Sequence, residues 1–100
     1  LGRAGVRVKN EVEESIERPK VLVVDDKEHN LLSYATALRI LDCDVVSTNT
    51  ARTALEYLQM HSASFAVAII DGRMPTITGL ELVKLIRSSE GMERVPIGLR

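Results

Sequence analysis

Two adjacent carboxylates close a short apolar run, Lys20-Val21-Leu22-Val23-Val24-Asp25-Asp26, and a third closes another, Phe65-Ala66-Val67-Ala68-Ile69-Ile70-Asp71. Runs of this length, rich in Val and Ile, predict strands buried on both faces. If the two strands lie parallel and adjacent, Asp25, Asp26 and Asp71 converge at their carboxyl ends, where open α/β sheets place their ligands. Three carboxylates that close repel one another, so the arrangement calls for a cation. A hard divalent ion with oxygen ligands is the natural guest. The competing reading of Asp25 is a helix N-cap, a common role for an Asp just before a helix. Capping does not account for two Asp in succession with a third ending another strand.

The elements that must position these acids follow from the apolar pattern. A strand at 20–25 leads to a helix near 28–41, with Leu31, Ala35, Leu38 and Leu41 along one stripe. A second strand, 44–48, precedes a helix near 51–61 that turns Ala51, Ala54, Leu55 and Leu58 inward, with Asn49 or Thr50 free to cap its start. The third strand, 65–71, runs into a loop through Pro75 and a helix near 79–89 with Leu82, Val83 and Ile86 on the core side. A fourth strand begins at Val95. Strands alternating with helices of this size predict right-handed βαβ units and a parallel sheet. The first helix ends at Leu41-Asp42-Cys43-Asp44 without a Gly, so Asp42 is expected to take the left-handed cap at some cost.

With 100 residues, 45% of them hydrophobic, and a net charge of −1, the chain fits one small domain with a modest core. Its 13 basic and 14 acidic residues give no sign of nucleic-acid or lipid binding, and 3% aromatics disfavour a base-stacking platform. No apolar stretch spans a bilayer and no signal-peptide pattern opens the chain, so a cytoplasmic setting is expected. Cys43 is alone, which excludes an internal disulfide and points to a reducing compartment with the thiol as a small apolar filler. Residues 1–19 read as an N-terminal extension or linker. Val8, Val12 and Ile16 have helical spacing there, Val6 and Val8 alternate like a strand, and Pro19 punctuates the chain before the first strand. The chain starts at Leu1 and stops inside a strand that has only begun, so it reads as a piece of something longer.

Three blocks in order carry a family resemblance: Val21-Leu22-Val23-Val24-Asp25-Asp26, Asp71-Gly72-Arg73-Met74-Pro75, and Gly79-Leu80-Glu81-Leu82. On these, residues 20–100 resemble the receiver domain of two-component response regulators and hybrid histidine kinases. The resemblance implies a flavodoxin-like α/β fold, a doubly wound parallel sheet of order 2-1-3-4 with strand five and the last helices absent from this chain. It implies that Asp71 is the phosphoacceptor of a phosphorelay. It further implies that Mg²⁺ is held by Asp25, Asp26, Asp71 and the backbone carbonyl of Arg73, and that Met74, Pro75 and Gly79 shape the loop. The implied partner is a histidine kinase or phosphotransfer protein. The chain is then no ordinary enzyme, since it catalyses only its own phosphorylation and slow hydrolysis.

The match also has departures. The family's hydroxyl residue at the end of strand four and its Lys at the end of strand five both fall after Arg100. Lys27 and Lys84 do not substitute for that Lys, and Lys84 reads as an exposed helix charge. Thr78 stands where most relatives carry an acidic or amide residue, yet it can still cap a helix. Arg73 reads as a solvent-facing loop residue whose long cation could alter phosphoryl lifetime, and His29 and His61 read as surface histidines. Without strand five, strand four is expected to be a bare edge and the apolar sheet beside the first helix to be uncovered, favouring a homodimer through that edge. The alternative function is therefore a truncated, phosphorylation-incompetent receiver acting as an interaction or dimerisation module. A hydrolase of the aspartyl-phosphate kind ranks last, because Asp25-Asp26-Lys27 does not supply the Asp-x-Asp such enzymes use.

Overall fold

β-branched residues concentrate where the strands form. The computed structural model describes residues 18–100 and runs β1 (Lys20–Val24), α1 (Glu28–Ile40), β2 (Asp44–Thr48), α2 (Ala51–His61), a 3₁₀ turn (Ser62–Ser64), β3 (Phe65–Ile70), α3 (Gly79–Ser88) and β4 (Ile97–Leu99). The strands pair in parallel in the order β2-β1-β3-β4, as expected for a flavodoxin-like sheet. Val24 lies opposite Thr48 on one side and Ile70 on the other, so Asp25 and Asp71 leave neighbouring strands at the same level. Both fall one residue past the observed strand ends, although the sequence pattern placed them as the last strand residues. The ladder's hydrogen bonds continue through them all the same: the Asp25 amide donates to the Thr48 carbonyl (3.2 Å) and the Asp71 amide to the Val24 carbonyl (2.9 Å).

The two faces of the sheet are covered unequally. Leu22, Val24, Ala68 and Ile70 point to one face, where Ala54 and Leu58 of α2 and Leu82 and Ile86 of α3 close over them. Val21 and Val23 point to the other face by the pleat's alternation, toward α1. The stripe expected to be buried on α1 is not: Leu31, Ala35 and Leu38 are half-buried, Leu41 is exposed, and no residue of the helix is buried. The reason is placement. α1 packs mainly over β2 and β1, and no second described helix lies beside it to cover Val67 and Ile69, which stay half-buried.

The element ends follow local chemistry. Thr50 rather than Asn49 caps α2, its hydroxyl accepting from the Thr53 amide (3.2 Å). Thr78 and Glu81 form a capping box at α3. Asp42 takes the expected left-handed conformation (φ +58°). α1 and α3 each stop one residue short of the sequence estimate, at Ile40 and Ser88. β4 begins at Ile97, not Val95. The Val95 amide donates to the Met92 carbonyl (3.3 Å) and its carbonyl accepts from Arg87 Nη1 (2.6 Å), so Val95 belongs to the turn; Pro96 has no N–H to pair, and only its carbonyl joins the ladder, accepting from the Ala68 amide (2.8 Å). The extension expected over 1–19 lies outside the described residues except for Arg18 and Pro19; the Pro19 carbonyl accepts from the Asp44 amide (2.8 Å) at the start of β2. No described helix is long and apolar enough to cross a membrane.

Candidate functional site

The turn between β1 and α1 is built around Asp25. Its Oδ1 accepts from the Lys27 amide (2.9 Å) two residues on, and its Oδ2 accepts from Asn30 Nδ2 (3.0 Å) in the first turn of the helix. The residue is 1% exposed. Lys27, not Asp25, stands at the N-cap position of α1, and its side chain makes no cap bond. The capping reading of Asp25 therefore gives way to an Asx-type turn that fixes both carboxylate oxygens. Asp26 is more open, with Lys27 Nζ at 3.5 Å from its Oδ1.

On the neighbouring strand, Asp71 Oδ1 accepts from the Arg73 amide (3.1 Å), which curls the loop after β3. Met74 is buried in the core and anchors that loop, while Pro75 is exposed. The loop returns at Gly79, whose amide donates to the Gly72 carbonyl (3.3 Å). A Cβ at Gly79 would collide with the Asp71 carbonyl oxygen, with Gly72 Cα (2.7 Å) and with Leu99 Cδ1 (2.8 Å), so only glycine allows this close approach. On the far side, the Gly72 amide donates to the Arg100 carbonyl (3.0 Å), tying the end of β4 to the acid's flank.

The outcome is one cluster: a carboxylate oxygen from each of Asp25, Asp26 and Asp71 lies within 4.8 Å of the others. Asp71 Oδ2 is buried, and among the described residues no donor reaches it. A buried acceptor without a partner is uncommon in native proteins and requires an explanation. Three hard oxygen donors, one of them bare, match what a small divalent cation demands. The residues present thus fit a metal such as Mg²⁺.

The structure brings together the three acids singled out by sequence and leaves the other candidates apart. The side chains of Arg73, His29, His61 and Lys84 are exposed, and Cys43 is half-buried near the end of α1. Two neighbours of the site escape the sequence reading. Asn30 carries a weak signal, an amide in the first helical turn after the acidic pair. Arg100, whose Nη1 lies 3.5 Å from Asp25 Oδ2, carries none, because only the register of β4 on β3 brings it there.

Comparison with known proteins agrees with this geometry. The family model for the response regulator receiver domain matches residues 21–99. The chemotaxis protein CheY of Pseudomonas aeruginosa is 34% identical over 86 residues, covering 78% of this chain and 62% of that protein. Stress response regulator protein 1 of Debaryomyces hansenii is 37% identical over 78 residues, covering 76% of this chain and 31% of that protein. The virulence sensor protein BvgS of Bordetella pertussis is 38% identical over 71 residues, 71% of this chain but 6% of its own length. The chain thus spans less than two thirds of each of these relatives. Among solved structures, a response regulator receiver protein from Pseudomonas putida superposes with a TM-score of 0.76 at 33% identity, covering 84% of this chain and 68% of that one. The chemotaxis response regulator CheY4 of Vibrio cholerae gives 0.73 at 33% identity, with coverage of 82% and 67%. With sheet order, sequence and superposition in agreement from β1 to β4, the chain belongs to the response regulator receiver domain family of two-component signalling.

Proposed function

We propose that this chain is a phosphoacceptor. Asp71 takes a phosphoryl group from a phosphohistidine on a histidine kinase or phosphotransfer protein, with Mg²⁺ held by Asp25, Asp26, Asp71 and the backbone carbonyl of Arg73. The observation that carries the reading is Asp71 Oδ2, buried beside two further carboxylates with no protein donor on it. An oxygen with free lone pairs is a nucleophile, and the Arg73 amide occupies Oδ1, leaving Oδ2 as the oxygen without a donor among the described residues. Attack forms the Oδ2–P bond and breaks the P–N bond, whose electron pair leaves with the donor imidazole. When bound, Mg²⁺ supplies the charge neutralisation that lets an anionic carboxylate approach an anionic phosphoryl group.

The chain's own residues prepare that event. Lys27 and Asn30 hold the Asp25 carboxylate in one orientation, so little reorganisation is left for the moment of binding. Gly79 lets α3 approach the backbone of Asp71, and Met74 pins the loop that carries the Arg73 carbonyl. The reading takes residues 20–100 as the receiver portion and residues 1–19 as a leading segment. Its chemistry is limited to the chain's own phosphorylation and hydrolysis, in a cytoplasmic setting that suits the free thiol of Cys43.

Intact-mass spectrometry after incubation with Mg²⁺ and acetyl phosphate tests the proposal. The expected result is a gain of one phosphoryl mass, lost in Asp71→Asn and lost when the divalent ion is chelated. A gain that survives Asp71→Asn, or none in a folded sample, overturns it.

A further inference from the structure

Arg100 reaches the acid pocket from a strand that contributes no acid to it. Its backbone is fixed at the end of β4, the amide donating to the Ile70 carbonyl (2.9 Å) and the carbonyl accepting from the Gly72 amide (3.0 Å). From there the side chain leans across β3 toward β1. Its guanidinium carbon sits 5.5 Å from the Tyr34 ring centroid on α1, and Nη1 lies 3.5 Å from Asp25 Oδ2. A planar, weakly hydrated cation favours this combination of aromatic face and carboxylate.

The partners differ sharply in depth. Asp25 is the most buried of the three acids, whereas the Arg100 side chain is 50% exposed. Both oxygens of Asp25 are engaged by the protein: Oδ1 by the Lys27 amide, Oδ2 by Asn30 and Arg100. Of these, the two donors from the β1–α1 segment are neutral and local. Among the described residues, Arg100 alone brings charge to Asp25 from a distant part of the sequence. Lys27 stands in a similar relation to Asp26, at 3.5 Å, but from the adjacent position and with no ring beneath it.

Resting on the metal reading above, we propose that Arg100 is an internal counter-cation that competes with the divalent ion for Asp25 and so sets the pocket's metal affinity. Two cations on one carboxylate repel each other, so a bound ion would lift the guanidinium off Asp25 and off the Tyr34 ring. The ion shifts this equilibrium only by what it gains over the arm it displaces. An ion pair with one half-exposed partner is weak, so the arm lowers the metal affinity by about three- to fivefold rather than blocking it.

Calorimetric titration of Mg²⁺ into the whole chain tests this, with Arg100→Ala, Arg100→Lys and Asp26→Asn alongside the parent. The expected result is affinity about three- to fivefold tighter in Arg100→Ala, an intermediate value in Arg100→Lys, and loss of the binding heat in Asp26→Asn. Tyrosine emission gives an independent readout, because the chain has two Tyr and no Trp. Mg²⁺ should change the emission of the parent, and neither Arg100→Ala nor Tyr34→Phe should show that change. If the parent binds Mg²⁺ and Arg100→Ala binds no more tightly, the competition is refuted while the metal site stands. If neither the parent nor Arg100→Ala binds Mg²⁺, the metal reading falls and the competition falls with it.

Discussion

Asp25 is held through both carboxylate oxygens and Asp71 through one, and in the proposed function this difference separates the residue that would hold the ion from the residue that would react. Asn30 is the side chain that makes the difference for Asp25. Removing its amide leaves a nearly buried carboxylate oxygen with only the long contact to Arg100. Asn30→Ala is expected to cost about 1–3 kcal/mol, read as a lower urea midpoint with unchanged slope. No loss of stability would mean that water replaces the amide and that Asp25 is less enclosed than the structure places it. The acids themselves were legible from sequence because an Asp closing a buried parallel strand can only point to the sheet's carboxyl edge. Asn30 and Arg100 were not, since a side-chain hydrogen bond and a cross-sheet ion pair depend on rotamers and register that no periodicity encodes.

At the level of elements, the proposed chemistry falls on the loop between β3 and α3, whose tightness rests on Gly79. Gly79→Ala must push the helix start away from the Asp71 backbone. The expected cost is about 1–3 kcal/mol of stability, with loss of most phosphoryl uptake by intact mass. A variant with parental stability and uptake would show that the approach can relax. The helices can be ranked in the same way. Leu82 is fully buried on α3, while Leu32 on α1 is 63% exposed. Leu82→Ala should cost about 2–5 kcal/mol and Leu32→Ala less than about 0.5, both by denaturant unfolding. Equal costs would contradict the uneven covering of the two sheet faces. That unevenness explains which elements were read well. The pattern of α3 placed Leu82 and Ile86 correctly because the core they enter lies on the described side of the sheet. The stripe of α1 looked equally apolar, but burial depends on what packs beside a helix, and no second described helix does. The start of β4 was misjudged because an apolar Val95 before Pro96 reads like a strand, whereas the turn's own hydrogen bonds claim it.

For the molecule as a whole, the sheet ends in two edge strands among the described residues, β2 and β4. Along β4, Leu99 is half-exposed, and the neighbouring face offers the half-buried Val67 and Ile69. Open strand edges beside uncovered apolar surface favour pairing with another chain. Multi-angle light scattering should therefore give a mass that rises with concentration from one chain toward two. A single-chain mass at every concentration, with a sharp unfolding transition, would contradict that expectation.

The central claim concerns three side chains and one ion, and the most direct measurement is anomalous diffraction from crystals soaked in Mn²⁺ as a heavier stand-in for Mg²⁺. The account predicts one strong peak bounded by carboxylate oxygens of Asp25, Asp26 and Asp71. An empty pocket with metal bound elsewhere, or an Asp71 carboxylate turned away from the other two in an intact fold, would contradict it.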